Sequence, residues 1–213
     1  MPPLYTNSFP TLSSAGALTV GGNAAVSGSL SVTGPALGLS APAIHGAVAW
    51  TQDPATVYNT QLLTNGVVYL AAMYIPRDVS VTKIYWWVST VATTPTAGQN
   101  FVGLYSAAGT RLATTNVDSD TTSTGLKTTT ISSQALTAGA FYWVGIVANA
   151  STAPTLARGP AVTGMDTAAN MGLTASTARF ATNATGQTSL PSSITPASST
   201  LLFFAGPWCA IGT

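Results

Sequence analysis

Residues that could carry acid–base catalysis are scarce in this chain of 213 residues. It has one histidine, His45, and its five acidic residues are all aspartates. General acid–base catalysis and glycoside hydrolysis depend on paired titratable groups. A Ser-His-Asp arrangement would have to use His45, for instance with Asp53, and no nucleophile-elbow pattern accompanies them. The sequence therefore predicts a protein that is not an enzyme and needs no cofactor.

Metal and redox sites are not expected either. Asp118 and Asp120 are followed by three hydroxyl residues, which together could offer oxygen ligands to a hard cation. The glycine and the distal bidentate acid of a calcium loop are missing, so we interpret this segment as a solvated turn. The chain has one cysteine, Cys209, which excludes an intrachain disulfide, and its small apolar thiol is expected in the core.

Aromatic side chains are better candidates for a binding function, because sugars are bound by aromatic faces and neutral hydrogen-bonding groups. The candidates for contact with a glycan or with another subunit are Trp50, Tyr85, Trp87 and Trp143, and Trp86 and Trp208 extend the set. The alternative is that tryptophans in β-strands with alternating apolar positions belong to the core or to an interface. Polar loops at 93–100, 118–124 and 148–153 are better placed to contact a receptor.

Charge excludes several classes of partner. Charged residues make up 5% of the chain, against roughly 25% in an ordinary soluble domain. With a net charge of +1, no basic stripe is available, so nucleic-acid binding is disfavoured. The most apolar stretches, 140–148 and 201–211, are shorter than the roughly 20 residues of a membrane-spanning helix, and no signal peptide is recognisable. Because the net charge is small, little electrostatic repulsion keeps copies of the chain apart, so we expect the protein to assemble with other chains. Without a signal peptide, we expect it to be made in a cytoplasm.

A repeat of six residues stands near the N-terminus, where LTVGGN, AAVSGS and LSVTGP align under one another. Apolar positions two apart, followed by a glycine, predict an extended strand that breaks or turns at each glycine. The alternative is a flexible linker of Gly, Ser and Ala. The expected core positions of the repeat are Leu18, Val20, Ala24, Val26, Leu30 and Val32.

One copy of this repeat is too short to bury its own apolar column. Repeats of this length need stacked neighbours, and these must come from other chains. Three identical chains around a common axis are the simplest closed arrangement. We therefore expect a homotrimer with a short β stalk and linker over residues 18–43.

Residues 1–17 are expected to form an extended anchor. Three prolines interrupt this segment, and Leu4, Tyr5 and Phe9 are scattered among polar residues. Such a peptide cannot pack by itself, but its apolar side chains can enter grooves of a larger particle. The alternative is a frayed terminus.

Residues 44–213 are predicted to form an all-β head of the β-sandwich or jelly-roll type. Aromatic and β-branched runs alternate with turn residues, and no convincing helix is found. Asn65-Gly66 is the strongest hairpin signal, Pro76-Arg77-Asp78 indicates a turn and Ser106–Gly109 a short loop. The predicted strands are 44–50, 67–75, 81–91, 100–106, 111–115, 126–132, 140–149 and 201–211, with short strands near Met171 and Phe180.

The longest predicted strands are apolar on both faces. In 81–91, Ile84, Trp86 and Val88 alternate with Tyr85 and Trp87, and 140–149 shows the same pattern. A sheet with one face in water would be polar on that face. We therefore expect these strands to be covered twice, once by the sandwich core and once by a loop or a neighbouring subunit.

The hexads LTVGGNAAVSGSLSVTG resemble the Gly/Val-rich repeats that precede the heads of bacteriophage tail-fibre and other virion fibre proteins. Residues 65–159, which begin NGVVYLAAMYIP and include TGLKTTTISSQALTAGAFYWVGIVANAS, are similar to domains in minor tail and fibre-like proteins of actinobacterial phages and prophages. The resemblance implies a trimeric, non-enzymatic virion protein with an attachment segment, a stalk and a C-terminal β head.

From these observations we expect a structural protein on the virion surface, assembled in the host cytoplasm. Its N-terminus would bind a capsid or tail protein, and its outward head would bind host cell-surface polysaccharide. The alternative is a capsid or tail decoration protein that stabilises the particle and has no receptor.

Overall fold

A computed structural model describes residues 41–159 and 169–213. The predicted stalk core and the anchor residues Leu4, Tyr5 and Phe9 lie outside the described residues. The stalk, the anchor and the trimer therefore remain predictions.

The described chain is all-β, and its strand pairs are antiparallel. Its helical segments are 3-10 turns of three or four residues at Pro42–His45, Pro54–Thr56, Asp120–Thr122, Ala175–Thr177 and Pro196–Ser198. The strands are β1 (Ala49–Trp50), β2 (Asn59–Leu62), β3 (Val68–Tyr74), β4 (Val79–Thr90), β5 (Thr93–Pro95), β6 (Phe101–Ser106), β7 (Arg111–Asn116), β8 (Gly125–Leu136), β9 (Phe141–Val147), β10 (Ala150–Thr152), β11 (Thr155–Arg158), β12 (Phe180–Asn183), β13 (Thr200–Leu201) and β14 (Cys209–Gly212).

Two six-stranded sheets make up most of the head. In the first sheet, β8 pairs along β4 from Val79 to Val88, so β14 and β11 share the opposite edge of β4. These two short strands are flanked in turn by β1 and β2. The second sheet has the order β13-β12-β3-β9-β6-β7, and β5 and β10 form a separate two-stranded sheet.

One hydrophobic core is built from the inner faces of both sheets, an arrangement consistent with a β-sandwich. Ile84, Trp86 and Val88 of β4 are fully buried in it, and Val144 of β9 packs in the same cluster. Each such side chain stabilises the fold by roughly 1.5–3 kcal/mol. The alternation expected for both strands is confirmed.

The outer face of the second sheet is covered by the chain itself. Leu190 and Ile194 pack there against Tyr105 and Trp143, and the Tyr105 hydroxyl donates a 2.8 Å hydrogen bond to the Pro191 carbonyl oxygen. Burial in this cluster raises the pKa of the Tyr105 phenol. For β9 the expected second cover is therefore a loop, residues 184–199, so this face does not require a neighbouring subunit. For β4 the expectation is not met within the described residues, because Trp87 on its outer face is 43% exposed.

Glycine makes this cover possible. Gly103 of β6 and Gly145 of β9 are directly paired in the sheet. A Cβ at Gly103 would lie 2.9 Å from Cδ1 of Leu190, and a Cβ at Gly145 would lie 2.7 Å from Cε2 of Tyr105. The two missing side chains leave space for Leu190 of the loop and for the Tyr105 ring against which the loop packs.

Three sequence predictions are corrected by the topology. The predicted strand 201–211 is interrupted, because β13 ends at Leu201 in the second sheet and β14 starts at Cys209 in the first. Asn65-Gly66 forms a turn, but it joins β2 of the first sheet to β3 of the second and is not a hairpin. Met171 lies in a turn instead of a strand. At Asn65-Gly66 the local turn was recognised, but the strands that it joins were set by contacts distant in sequence.

Candidate functional site: an aromatic groove on the first sheet

Two rows of side chains on the outer face of the first sheet define a groove. In the first row, Ala210 of β14 pairs with Tyr85 on one side and with Trp50 on the other. Directly paired residues project to the same face. Two inter-strand spacings separate the β4 and β1 backbones by about 9.5 Å, and Ala210, which is buried, is the residue of β14 between them in this row.

The second row runs through Trp87, which pairs with Leu126 of β8. On the other side of β4 lies Ala157 of β11, which pairs with Thr60. Trp87 is 43% exposed and Leu126 is 53% exposed. Trp208 links the rows, since its amide donates a 2.8 Å hydrogen bond to the Ala157 carbonyl oxygen.

These residues enclose an open cavity of about 590 Å³, within the range of sites that bind small molecules. No residue that lines the cavity is an Asp, Glu, Lys or Arg. The cavity is therefore apolar and neutral, with a few hydroxyl and amide groups at hand. The aromatic groove is lined by the aromatics Trp50, Tyr58, Tyr85, Trp87 and Trp208, the alanines Ala47, Ala157 and Ala210, and the polar residues His45, Asn59, Thr60 and Ser89, together with Pro54, Val57 and Leu126.

The aromatic rings of the groove are held by specific neighbours. The indole nitrogen of Trp208 donates a 2.9 Å hydrogen bond to the Gln52 carbonyl oxygen. The rings of His45 and Trp50 pack with centroids 5.2 Å apart at an interplanar angle of 57°. Rings that are already fixed lose less side-chain entropy when a ligand binds.

The structure brings together three of the four aromatic residues that the sequence offered for binding. Trp50, Tyr85 and Trp87 line one groove. Trp143 lies elsewhere: it is fully buried in the second sheet, and its indole nitrogen donates a hydrogen bond to the Ala178 carbonyl oxygen. Trp86 is also fully buried, in the core.

Sequence reasoning missed the alanine floor and the exposed Tyr58. The floor residues Ala157 and Ala210 come from strands that are far apart in the sequence. A local signal existed at Trp208-Cys209-Ala210, where a large and a small residue are two apart and share a face. Because residues 201–211 were predicted as one strand, the separate strand β14 and its place in the first sheet were not recognised.

The aspartates that the sequence offered for chemistry serve turns and loops in the structure. Asp53 accepts a 2.8 Å hydrogen bond from the Ala55 amide, and Asp120 accepts one from the Thr129 hydroxyl. Within the described ranges, no three His, Cys, Asp or Glu residues form a metal-binding group. Cys209 is fully buried, and burial raises the pKa of its thiol.

The three polar loops expected to contact a receptor meet at one place. Asp118 accepts hydrogen bonds from the Gly98 amide, 2.6 Å away, and from the Asn100 side-chain nitrogen, 2.8 Å away. Asn100 in turn accepts a 2.9 Å hydrogen bond from the Asn149 amide. Partial burial of Asp118 opposes its ionisation, but these hydrogen bonds prevail and lower the pKa of the carboxyl group.

Comparisons with known proteins add no assignment to this site. No family model matches the chain, and no curated protein matches it significantly. Residues 41–159 and 169–213 contain no helix with the length and hydrophobicity to cross a membrane.

Proposed function

We propose that this chain is a non-enzymatic, virion fibre-like protein whose β head binds a neutral saccharide of the host cell surface in the aromatic groove. The observation that carries the proposal is the groove lining, in which Trp50, Tyr85 and Trp87 surround small residues and no charged side chain is present. Aromatic faces stack on the C–H faces of sugar rings, and neutral polar groups bind their hydroxyls.

The absence of charge from the lining favours a neutral ligand. An ionised ligand would lose hydration in this groove without gaining an opposite charge. Asn59, Thr60 and Ser89 line the cavity and supply neutral donors and acceptors. A neutral sugar satisfies both the apolar and the polar part of this lining.

Binding fits the groove better than hydrolysis. Glycoside hydrolysis requires two carboxyl groups on either side of the scissile bond. The lining of the groove contains no carboxylate and one imidazole, His45. The groove therefore supports recognition of a saccharide that is released unchanged.

The virion context and the homotrimer are part of the proposal and are supported by the sequence. The hexads need neighbouring chains to bury their apolar columns, and they resemble phage fibre repeats. A trimer would present three grooves, and many trimers on a particle would multiply weak single-site affinities into strong attachment.

The test is a glycan array, supplemented with host wall polysaccharide, probed with the purified full chain. We expect binding that is abolished in Trp87→Ala and retained in Tyr74→Ala, which removes a 66% exposed aromatic residue that does not line the groove. Absence of binding by the unmodified chain would favour the decoration protein. New reducing ends after incubation with the polysaccharide would indicate an enzyme instead.

A further inference from the structure

Trp87 and Leu126 form one continuous apolar surface in the aromatic groove. They are directly paired across β4 and β8, so their side chains project to the same face of the sheet with Cβ atoms about 5 Å apart. Both side chains are exposed, and both line the cavity. A single exposed leucine is ordinary on a protein surface, whereas neighbouring exposed apolar side chains in a cavity indicate contact with an apolar group of a ligand.

This apolar surface lies beside a hydroxyl group. Ser89 follows Trp87 by two residues on β4, so it projects to the same face of the sheet, and it also lines the cavity. Relative to Leu126 it holds the diagonal position across the two strands, where side chains are about 7–8 Å apart. A ligand ring on Trp87 is therefore within reach of both a leucine side chain and a serine hydroxyl.

An acetamido group matches this arrangement. It joins a methyl group, which gains from an apolar contact, to an amide N–H and C=O, which need hydrogen-bond partners. A hexose without this group carries hydroxyls around its ring, and a hydroxyl against Leu126 would lose hydration without gaining a partner. A 6-deoxy sugar carries a methyl group, but that methyl has no amide beside it to reach Ser89.

We infer that the Trp87–Leu126–Ser89 patch binds a neutral 2-acetamido sugar, a specificity that rests on the proposed saccharide binding. The sugar ring stacks on Trp87, the acetamido methyl packs on Leu126, and the amide forms a hydrogen bond with the Ser89 hydroxyl. An acetamido group also lacks the positive charge of a free amino sugar, which agrees with a lining that contains no Asp, Glu, Lys or Arg.

The experiment compares three methyl β-D-glucopyranosides that differ only at C2, where they carry an acetamido, a formamido or a hydroxyl group. Affinities for the full chain are measured by NMR titration. The formamido compound keeps the amide and lacks the methyl group. We expect the acetamido glycoside to bind about 4-fold more tightly than the formamido glycoside, through burial of one methyl group. It should bind about 20-fold more tightly than the hydroxyl glycoside, through the methyl group and one hydrogen bond.

Three variants assign the preference to the patch. Leu126→Ala should remove the difference between the acetamido and formamido glycosides, and Ser89→Ala should weaken both while keeping that difference. Leu62→Ala is the matched control, since Leu62 is 54% exposed and projects to the same face as Thr60 but does not line the cavity. It should bind as the unmodified chain does. Truncation of either exposed leucine leaves no cavity in the core, so both leucine variants should fold.

The outcomes separate this inference from the proposed function. Equal affinity for the acetamido and hydroxyl glycosides overturns the inference, as does an acetamido–formamido difference that survives in Leu126→Ala or is lost in Leu62→Ala. Unchanged amide binding in Ser89→Ala, or tighter binding of methyl α-L-rhamnopyranoside, overturns it as well. The proposed function still stands in those cases if the glycan array shows binding that depends on Trp87. An array without any saccharide bound overturns both.

Discussion

The ring of Tyr85 occupies the space that a side chain at Gly212 would take. A Cβ at position 212 would lie 2.8 Å from Cε2 of Tyr85 and 3.2 Å from its hydroxyl oxygen. Gly212 follows Ala210 by two residues on β14, so it projects to the same face of the sheet. The position of one wall of the aromatic groove thus depends on a glycine in the neighbouring strand.

Gly212→Ala is expected to displace the Tyr85 ring and to change binding more than stability. The nearest atom belongs to the end of the Tyr85 side chain, which can turn aside, and the Gly46 carbonyl oxygen, 3.1 Å away, has to give by a few tenths of an ångström. Loss of one aromatic contact of 0.5–1.5 kcal/mol should lower saccharide affinity by about 2- to 10-fold. The free energy of unfolding should fall by less than about 1 kcal/mol. Calorimetric titration and urea unfolding measure the two effects, and unchanged affinity would show that the ring is not confined by Gly212.

Trp87 and Trp143 should respond oppositely to truncation. Trp87 is 43% exposed in the groove and Trp143 is fully buried. Trp87→Ala should abolish saccharide binding with a loss of less than about 1 kcal/mol in unfolding free energy. Trp143→Ala should cost about 3–5 kcal/mol, because it leaves a cavity under the covering loop. Urea denaturation of both variants checks this, and similar losses in the two would contradict the burial pattern.

Stability should decrease in acid through Asp118. Hydrogen bonds from Gly98 and Asn100 hold the pKa of Asp118 below its usual value. The group therefore adds stability above its unfolded pKa of about 3.9, and this contribution is lost as the pH falls through the lower folded pKa. Asp118→Asn should have a lower Tm than the unmodified chain at pH 7, and the difference should shrink below about pH 4. A constant difference across the pH range would show that ionisation is not involved.

The Cys209 thiol should be unreactive in the folded protein. It is fully buried in the core, and burial raises its pKa, so little thiolate forms at neutral pH. Iodoacetamide should not alkylate Cys209 in buffer and should alkylate it completely in concentrated guanidinium chloride. Mass spectrometry measures both, and rapid labelling of the native chain would place the thiol at an accessible site.

The hexad repeat should control the oligomeric state. Combining Val20→Asp, Val26→Asp and Val32→Asp places three carboxylates in the column expected at the trimer axis, where burial of charge is costly. By light scattering we expect the variant to be a monomer and the unmodified chain to be a trimer. A variant that remains trimeric would show that the head alone holds the chains together.

Several features of this protein follow from local sequence patterns. Alternation with period two identified β4 and β9 and the two faces of each strand, because the pleat of a strand fixes which side chains share a face. The turn residues at Ser106–Gly109 marked a true hairpin, in which the Gly109 amide donates to the Ser106 carbonyl oxygen. The short strands β2 and β11 escaped prediction, because their few residues carry little periodic signal.

Only the tertiary structure distinguished Trp87 from Trp143. Both occupy the outer face of a strand whose other face is in the core, and their local patterns are alike. The loop at 184–199 covers the second sheet and buries Trp143, whereas Trp87 on the first sheet stays open. Whether such a tryptophan is buried or exposed therefore depends on contacts between segments far apart in the chain. For the same reason, the alanine floor between Tyr85 and Trp50 exists only once β1, β4 and β14 lie side by side.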